Sequence, residues 1–525
     1  MYDVAIVGGG IAGMATAGRL QARGFSTIVL EAHGQAGGCA GFYRRKGFAF
    51  DVGATTLVDF EAGGVGGELL QHIGMSPIEG EPLPGYVAWL PDRTVTLHRN
   101  TALWALERLR TLGDSPAHHA FWRLMDRLAL VFWDASRNGI ELPMRRIGDV
   151  AQAASLLGFR NLPLARYITW TLGDALRAFG LRHDLPLIGL LSMLVEDTVH
   201  GTIDDAPLIN AALGLTIRGA GLTRANGGMW GFWQRFQAHY RALGGVLRVG
   251  CAVQWIEGQE GAFTLATRRG SFYAGQVVCA LPAQLASSIA PQAVTRRLEP
   301  YLRRDTNALG GAIVVFLGVP EDQVTPQSFT HHQLLQDYNQ PLGNGNNMFI
   351  SVSAPGDLIS APEGHRAVMI STHCELEPWE GLPAEHYVAN KREVGEMLVR
   401  FARRVYPCLG ENAAVYEVAT PPTYERYLHR PRGAVGGVRL TLENANQFAI
   451  PHDVGVPGFW LVGDTTWPGL GTVACVLGSR IVADGVAERA RSRSRFASLF
   501  AMRRLTAWSQ RQTQPVYSRS PIVHK

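Results

Sequence analysis

The sequence predicts an α/β fold: a discontinuous Rossmann-like dinucleotide-binding domain with a largely helical α+β unit inserted into it. Three observations predict this. The chain opens with "MYDVAIVGGGIAGMATAGRLQARGFSTIVLE", which reads as strand, glycine-rich turn, helix, strand and acid. Near the other end, "GFWLVGDTTWPGLGTVACVLGSR" (458–480) reads as an apolar strand ending in Gly-Asp, then a glycine-rich turn, then a helix. The 525 residues leave room for further domains between these two segments.

The first unit is legible residue by residue. Tyr2 to Val7 is a short buried strand, and Gly8, Gly10 and Gly13 follow at G-x-G-x-x-G spacing. Ile11 to Arg23 has helical apolar spacing, Gly24 ends it, and Ser26 to Leu30 is a second strand closed by Glu31. Gly8 permits the tight turn, Gly10 lets backbone approach a pyrophosphate, and Gly13 lets the helix lie close on the sheet. The helix N-terminus offers free N–H groups to phosphate charge. Glu31 can accept both ribose hydroxyls and disfavours a 2′-phosphate. A glycine-rich structural turn is the alternative, but it does not account for strand, helix, strand and acid in register. Gly37 and Gly38 extend the pattern to E-x5-GG, typical of FAD enzymes rather than NAD enzymes.

With that extension, "GGCAGFYRRKGFAFDVGATTLVDFEAGG" (37–64) resembles the FAD-dependent carotenoid desaturases and isomerases of the phytoene desaturase type. It is most similar to the bacterial C-3′,4′ carotenoid desaturases. "TPPTYERYLHRPRGAVGG" (420–437) and the segment with "VGD" and "PGLGT" agree, so the resemblance runs from residue 2 to about residue 488. It implies bound FAD. It also implies that Val253 pairs its backbone with the adenine edge. Gly463 and Asp464 would return a strand end to the ribityl or pyrophosphate region. Gly471, Thr472 and Val473 would begin a helix whose N-terminus faces the flavin and stabilises its reduced, anionic form. Of the basic cluster Arg44, Arg45 and Lys46, one is expected at the pyrophosphate, and Arg45 is the candidate; a solvated loop is the alternative.

The expected organisation is residues 1–70, 226–283 and 450–488 for the FAD domain, 71–225 for a mostly helical insert, 284–449 for the rest of the substrate domain, and 489–525 for a basic tail. Met229 to Leu243 reads as an amphipathic helix. Val246 to Val249 and Val253 to Glu257 read as strands, and 262–283 as a strand pair turning at Gly270, whose last run Gln276 to Ala280 suits a central parallel strand. Strands at 310–319 and 367–374 and a helix near 385–405 fall in the second insert.

Composition narrows the classes. Hydrophobic residues make up 46% and charged residues 18%, and mean hydropathy is +0.02. The longest apolar candidate, "LPLIGLLSMLV" (185–195), is too short to span a bilayer and is stopped by Glu196 and Asp197. No signal peptide is read at the N-terminus. The six scattered cysteines contain no C-x-x-C, so neither a disulfide framework nor a zinc site is expected, and a reducing cytoplasm is the default. The net charge of +5 comes from the tail, where nine cations from Arg489 to Lys525 meet no acid. Phe496, Leu499, Phe500, Leu505 and Trp508 interleave with these cations without forming one clean face; an interfacial helix and a solvated tail are both open.

The resemblance implies a long apolar polyene as substrate, taken from a membrane surface by a monotopic enzyme on the inner face of the cell membrane. No nucleic-acid partner is expected. There is no second G-x-G-x-x-G after a strand, which argues against a two-nucleotide reductase that loads its flavin from NADPH, so electrons should leave to a quinone, oxygen or another soluble carrier. Trp104, Phe121, Trp122, Phe132, Trp133, Tyr167 and Trp170 read singly as core, and together as a tunnel or membrane-facing mouth. Glu61 and His332 are the candidate proton acceptors, each with a structural reading beside it. His331 and His332 are adjacent, point apart on a strand and have no evident third ligand, so a metal site is rejected. The competing functions are a carotenoid isomerase or saturase on the same cradle, an amine or natural-product oxidase, and a non-catalytic flavoprotein that binds lipid or a partner.

Overall fold

The computed structural model describes the backbone of residues 1–512 and the side chains of residues 1–493. Two seven-stranded sheets organise it. The first holds Tyr2–Val7 at its centre, with Thr27–Leu30 and then Val246–Arg248 on one side and Gly270–Cys279 on the other, all parallel. Phe459–Leu461 pairs in parallel with the last residues of Gly270–Cys279, while Ala262–Thr267 and Val253–Gln259 add antiparallel strands to its first half. Register puts Val7 level with both Leu30 and Cys279, and Cys279 level with Leu461. Four parallel strands therefore end along one edge, the edge at which ligands bind in open α/β sheets.

Local sequence explains these elements. Val4 to Val7 and Thr27 to Leu30 are buried, as apolar runs covered on both faces must be. Gln276 is the polar exception in the central strand, and it is satisfied: Trp460 Nε1 donates to its Oε1 at 2.9 Å and its amide donates to the Val486 carbonyl at 3.2 Å. The helix Ile11–Ala22 lies on this sheet with Gly13 at the contact; a β-carbon there would collide with the Gly8 carbonyl oxygen.

The second sheet runs 415–419, 311–320, 365–374, 347–352, 331–335, 85–89 and 94–98. Its last two strands, Gly85–Trp89 and Thr94–His98, form a hairpin in a region expected to be mostly helical. Their period-2 burial was readable in "GYVAW" and "TVTLH", but each is short and stands before a long leucine-rich helical stretch. That stretch packs Pro116–Arg137, Leu185–Val199 and Leu208–Thr216 around one core. Asp184 caps the middle helix by accepting from Leu187 N at 3.1 Å, and Leu187, Leu190, Leu191 and Leu194 are buried, each worth about 1.5–3 kcal/mol against exposure. Trp104, Phe121, Trp122 and Tyr167 belong to this core, Phe132 and Trp170 pack against it, and Trp133 donates to Thr216 at 3.2 Å. The aromatic residues thus fill the layer and do not line a tunnel.

The last helix runs from Thr472 to Gln512 without a break at 488. Arg489, the first cation of the expected tail, is docked on Glu260 through Nε and Nη2 at 2.7 and 2.9 Å. The side chains of Phe496, Leu499, Phe500, Leu505 and Trp508, with Arg495, Arg503, Arg504, Arg511, Arg519 and Lys525, lie outside the described residues.

Candidate FAD and substrate site

A cavity of about 1430 Å³ runs along the C-terminal edge of the first sheet and on to the face of the second. Its first corner is the glycine turn. Gly8 leaves its strand at φ +104°, which only glycine adopts freely, and donates to the Leu30 carbonyl at 2.9 Å. Gly10, Ile11 and Ala12 line the cavity, and the first amides of their helix have no acceptor within it. Gly10 is in ordinary extended backbone, φ −72° and ψ 179°, and the nearest protein atom to a β-carbon built there is Gly38 Cα at 3.9 Å. The fold does not need a glycine at this position; the space beside it does.

Glu31 stands at the end of the next strand. Its carboxylate accepts from Gly9 N at 2.5 Å and His33 N at 2.7 Å. Burial raises its pKa, and those two backbone bonds oppose the rise. The Glu31 carbonyl also accepts from Cys251 N at 2.8 Å, which brings Ala252 and Val253 to the same wall.

Asp464 arrives from the far end of the chain, three residues beyond the strand Phe459–Leu461. Gly463, Asp464, Gly471 and Thr472 all line the cavity. The Asp464 carboxylate is paired with Arg430 Nη2 at 2.9 Å, and Arg430 Nε donates to the Ala434 carbonyl at 2.6 Å. Burial lowers the Arg430 pKa, but the Asp464 charge, the neighbouring Cys39 and the hydrogen bond to Asp464 together outweigh it and the net shift is upward. Arg430 falls in the segment 420–437, so the two late motifs meet as an ion pair.

Beyond this corner the walls come from the second sheet and the helical layer. Val58, Ile217, Leu222, Val314, Phe316 and Phe349 make an apolar stretch. Set into it is a polar group that sequence reasoning passed over: Asp197, His200, Arg218 and His373. His373 Nδ1 lies 3.3 Å from Glu196, and the Asn347 amide donates to the same carboxylate. Burial lowers the His373 pKa, but Glu196 and then Asp197 raise it, and the net shift is upward. The His200 ring packs edge-on against His373 with ring centres 4.6 Å apart, and burial holds it neutral. Arg218 lies over the Tyr86 ring at 4.8 Å and donates through Nη2 to Gln333 at 3.3 Å; its Nε and Nη1 find no partner among the described residues. In the sequence, Glu196 and Asp197 only stop an apolar run.

The other expected positions fall elsewhere. Gly38 lines the cavity, and Gly13 sits behind it in the helix contact. Val473 turns into the first core. Arg45 points to solvent, 3.8 Å from Glu417, whereas Arg44, its neighbour on the strand, lines the cavity and stacks over Trp230 at 3.9 Å; alternation along the strand selects Arg44. Glu61 is paired with Arg99 away from the cavity lining. His332 is buried in the second sheet, where Trp89 Nε1 approaches at 3.2 Å and the Tyr406 hydroxyl at 2.9 Å, and burial lowers its pKa to about 4. Neither Glu61 nor His332 reaches the site. His331 stacks on Tyr86 from the opposite face of that strand.

The glycine corner, the helix N-terminus, the acid at the strand end and the returning Asp464 fit FAD. The comparisons agree. Residues 6–73 match the model of the NAD(P)-binding Rossmann-like domain. Prolycopene isomerase 1 of an Oncidium hybrid cultivar is 25% identical over 512 residues, covering 93% of this chain and 84% of the relative. The 4,4'-diapophytoene desaturase of Staphylococcus aureus is 21% identical over 505 residues, covering 92% and 98%. Among solved structures, cyclohexylamine oxidase from Brevibacterium oxydans shares the fold with a TM-score of 0.60 at 16% identity, covering 93% of this chain and 99% of that one. The chain is an FAD-dependent oxidoreductase homologous to the carotenoid desaturases and isomerases.

Proposed function

We propose that the protein introduces double bonds into a long apolar polyene, a carotenoid. The observation that carries this reading is the single cavity joining the glycine corner to an apolar stretch built by Val314, Phe316 and Phe349 on the sheet and Ile217 and Leu222 from the insert. FAD, when bound, supplies the hydride acceptor. Gly8, Gly10 and the amides after them hold its pyrophosphate, Glu31 its ribose, Val253 its adenine edge, and Asp464 with Gly471 and Thr472 its flavin half. Arg430, paired with Asp464, holds that carboxylate in place. The apolar stretch orients the chain and excludes water. With no second dinucleotide fingerprint in the sequence, the electrons pass on to a quinone or to oxygen.

The substrate lives in a bilayer. Among the described residues no helix is long and apolar enough to cross one. The segment 145–168 supports peripheral attachment instead. Ile147 is 91% exposed and Phe159 89%, with Val150, Leu162 and Ile168 also exposed, and the segment carries four arginines against one aspartate. Exposed apolar side chains among cations suit the headgroup region of an anionic leaflet, here the inner face of the cell membrane.

Expression in hosts that accumulate lycopene, neurosporene or related acyclic carotenoids tests the reading. A red shift of the pigment with a loss of two hydrogens per step supports it. The 25% identity to prolycopene isomerase favours isomerisation as the second reading, and a spectral shift without mass loss would establish that instead. A blue shift with mass gain would indicate a saturase, and no change with a flavin-loaded enzyme would refute all three.

A further inference from the structure

The helix Leu185–Val199 ends inside the cavity, and its last turn opens the densest group of ionisable side chains there. Glu196 and Asp197 belong to that turn, and His200 is the left-handed residue that caps it, at φ 55°. His373 comes from the strand His365–Cys374 and Arg218 from the short turn Ile217–Ala220. The group adjoins the flavin arm: a β-carbon on Gly436 would collide with the His200 ring, and one on Gly437 with the Asp464 carbonyl oxygen. An apolar substrate gains nothing from charges set in its wall, and interior charges are costly unless paired. Most of this group is paired. Glu196 holds His373, and Arg218 rests on Tyr86 and Gln333. Arg218 is one exception, with Nε and Nη1 unpartnered among the described residues, and Asp197 is the other. Among the described residues no cation lies within 4.0 Å of it, and its only hydrogen-bond donor is the Gln333 amide. Gln333 presents that N–H because its oxygen is engaged by Arg218, so the amide is oriented and the second Asp197 oxygen is left without a donor.

We propose that Asp197 is the base that takes the substrate proton in the dehydrogenation. The inference rests on the desaturase reading. In that reaction one carbon of a saturated C–C unit loses a hydrogen with its electron pair to the oxidised cofactor. The adjacent C–H bond breaks, its electron pair becomes the new π bond, and the proton passes to the Asp197 carboxylate. The groups facing Asp197 set its basicity. Burial raises its pKa to about 6, while His373 and Arg218 lower it, Glu196 raises it and the Gln333 hydrogen bond lowers it. Tyr86 faces it across the same wall and stays neutral, its own pKa raised by burial. A base of that strength is ionised near neutral pH yet is a far better proton acceptor than an exposed carboxylate.

The test uses the full-length FAD-loaded protein, mixed without oxygen with lycopene or neurosporene in detergent micelles, and follows flavin bleaching. Wild type should bleach at a rate that rises with pH to a plateau, with its midpoint near 6. Asp197→Asn should slow bleaching about a hundredfold or more, with FAD content and polyene Kd unchanged, and Asp197→Glu should recover part of the rate. Infrared difference spectra should show a protonated carboxyl appearing on bleaching in wild type and absent in Asp197→Asn. Bleaching of Asp197→Asn within about threefold of wild type, well short of the loss of a general base, would overturn the assignment while leaving the desaturase reading standing. A flat pH profile, or a carboxyl signal unchanged by the substitution, would overturn it too. Wild type that binds these polyenes but never bleaches would overturn the desaturase reading and the base with it.

Discussion

Gly10 separates two reasons for a glycine. Its backbone, φ −72° and ψ 179°, is open to any residue, and a β-carbon there meets no protein atom nearer than Gly38 Cα at 3.9 Å. Gly10→Ala therefore strains nothing in the apoprotein. It gains about 0.4–1 kcal/mol from a stiffer unfolded chain and loses a few tenths at the helix N-cap, so apoprotein stability should stay within about 0.5 kcal/mol of wild type. The methyl group, however, points into the space assigned to the pyrophosphate. Pushing one methylene-sized group into a close contact costs about 1–3 kcal/mol, which corresponds to roughly a 5–150-fold loss of FAD affinity, and Gly10→Val should exclude FAD. Gly13 is the control: its β-carbon would overlap the Gly8 carbonyl oxygen, so Gly13→Ala should destabilise the apoprotein itself. Thermal melts of apoprotein and FAD titration by fluorescence quenching distinguish the two. Gly10→Val purified with one FAD per chain would refute the placement of the pyrophosphate, and a Gly10→Ala apoprotein as unstable as Gly13→Ala would refute the division of roles.

Glu31→Ala should weaken FAD binding and also destabilise the apoprotein by about 1–3 kcal/mol, because Gly9 N and His33 N lose their acceptor; an unchanged apoprotein melt would show that water replaces the carboxylate. Asp51→Ala leaves Arg224 buried without its partner, now at 2.5 Å, and should cost about 3–5 kcal/mol in denaturant titration, with a value below about 1 kcal/mol counting against a buried ion pair. The raised pKa of Asp197 makes the folded state take up a proton between the usual carboxylate value of 3.8 and about 6, so its contribution to stability is present below that window and lost as pH rises through it, by about 3 kcal/mol. Asp197→Asn should flatten that part of the stability–pH curve, and an unaltered curve would show that the carboxyl is not desolvated.

The sequence by itself determined the cofactor fold. Its signals are local: Gly8, Gly10, Gly13 and Glu31 lie within one strand–helix–strand unit, with Gly13 against the Gly8 carbonyl and Glu31 on the amides of Gly9 and His33. The late Asp464 was legible for the same reason, since an apolar strand, Gly-Asp and a glycine turn fall together. What the tertiary structure decided are the pairings of distant segments. Arg430 meets Asp464 only because the segment after the second sheet folds back on the first. Asp197, His200, Arg218 and His373 meet only where a helix end, a short turn and a strand end converge. In sequence Asp197 merely ends an apolar helix, and nothing local separates a solvated helix terminus from one that opens into a cavity. Glu61 and His332 failed as candidates for the matching reason. Proximity to a motif along the chain says nothing about which way a side chain points, and Glu61 turns to Arg99 while His332 turns to Trp89 and Tyr406. Hydrogen bonds within a turn are set by a few dihedral angles, whereas the neighbours of a buried charge are set by how whole layers pack.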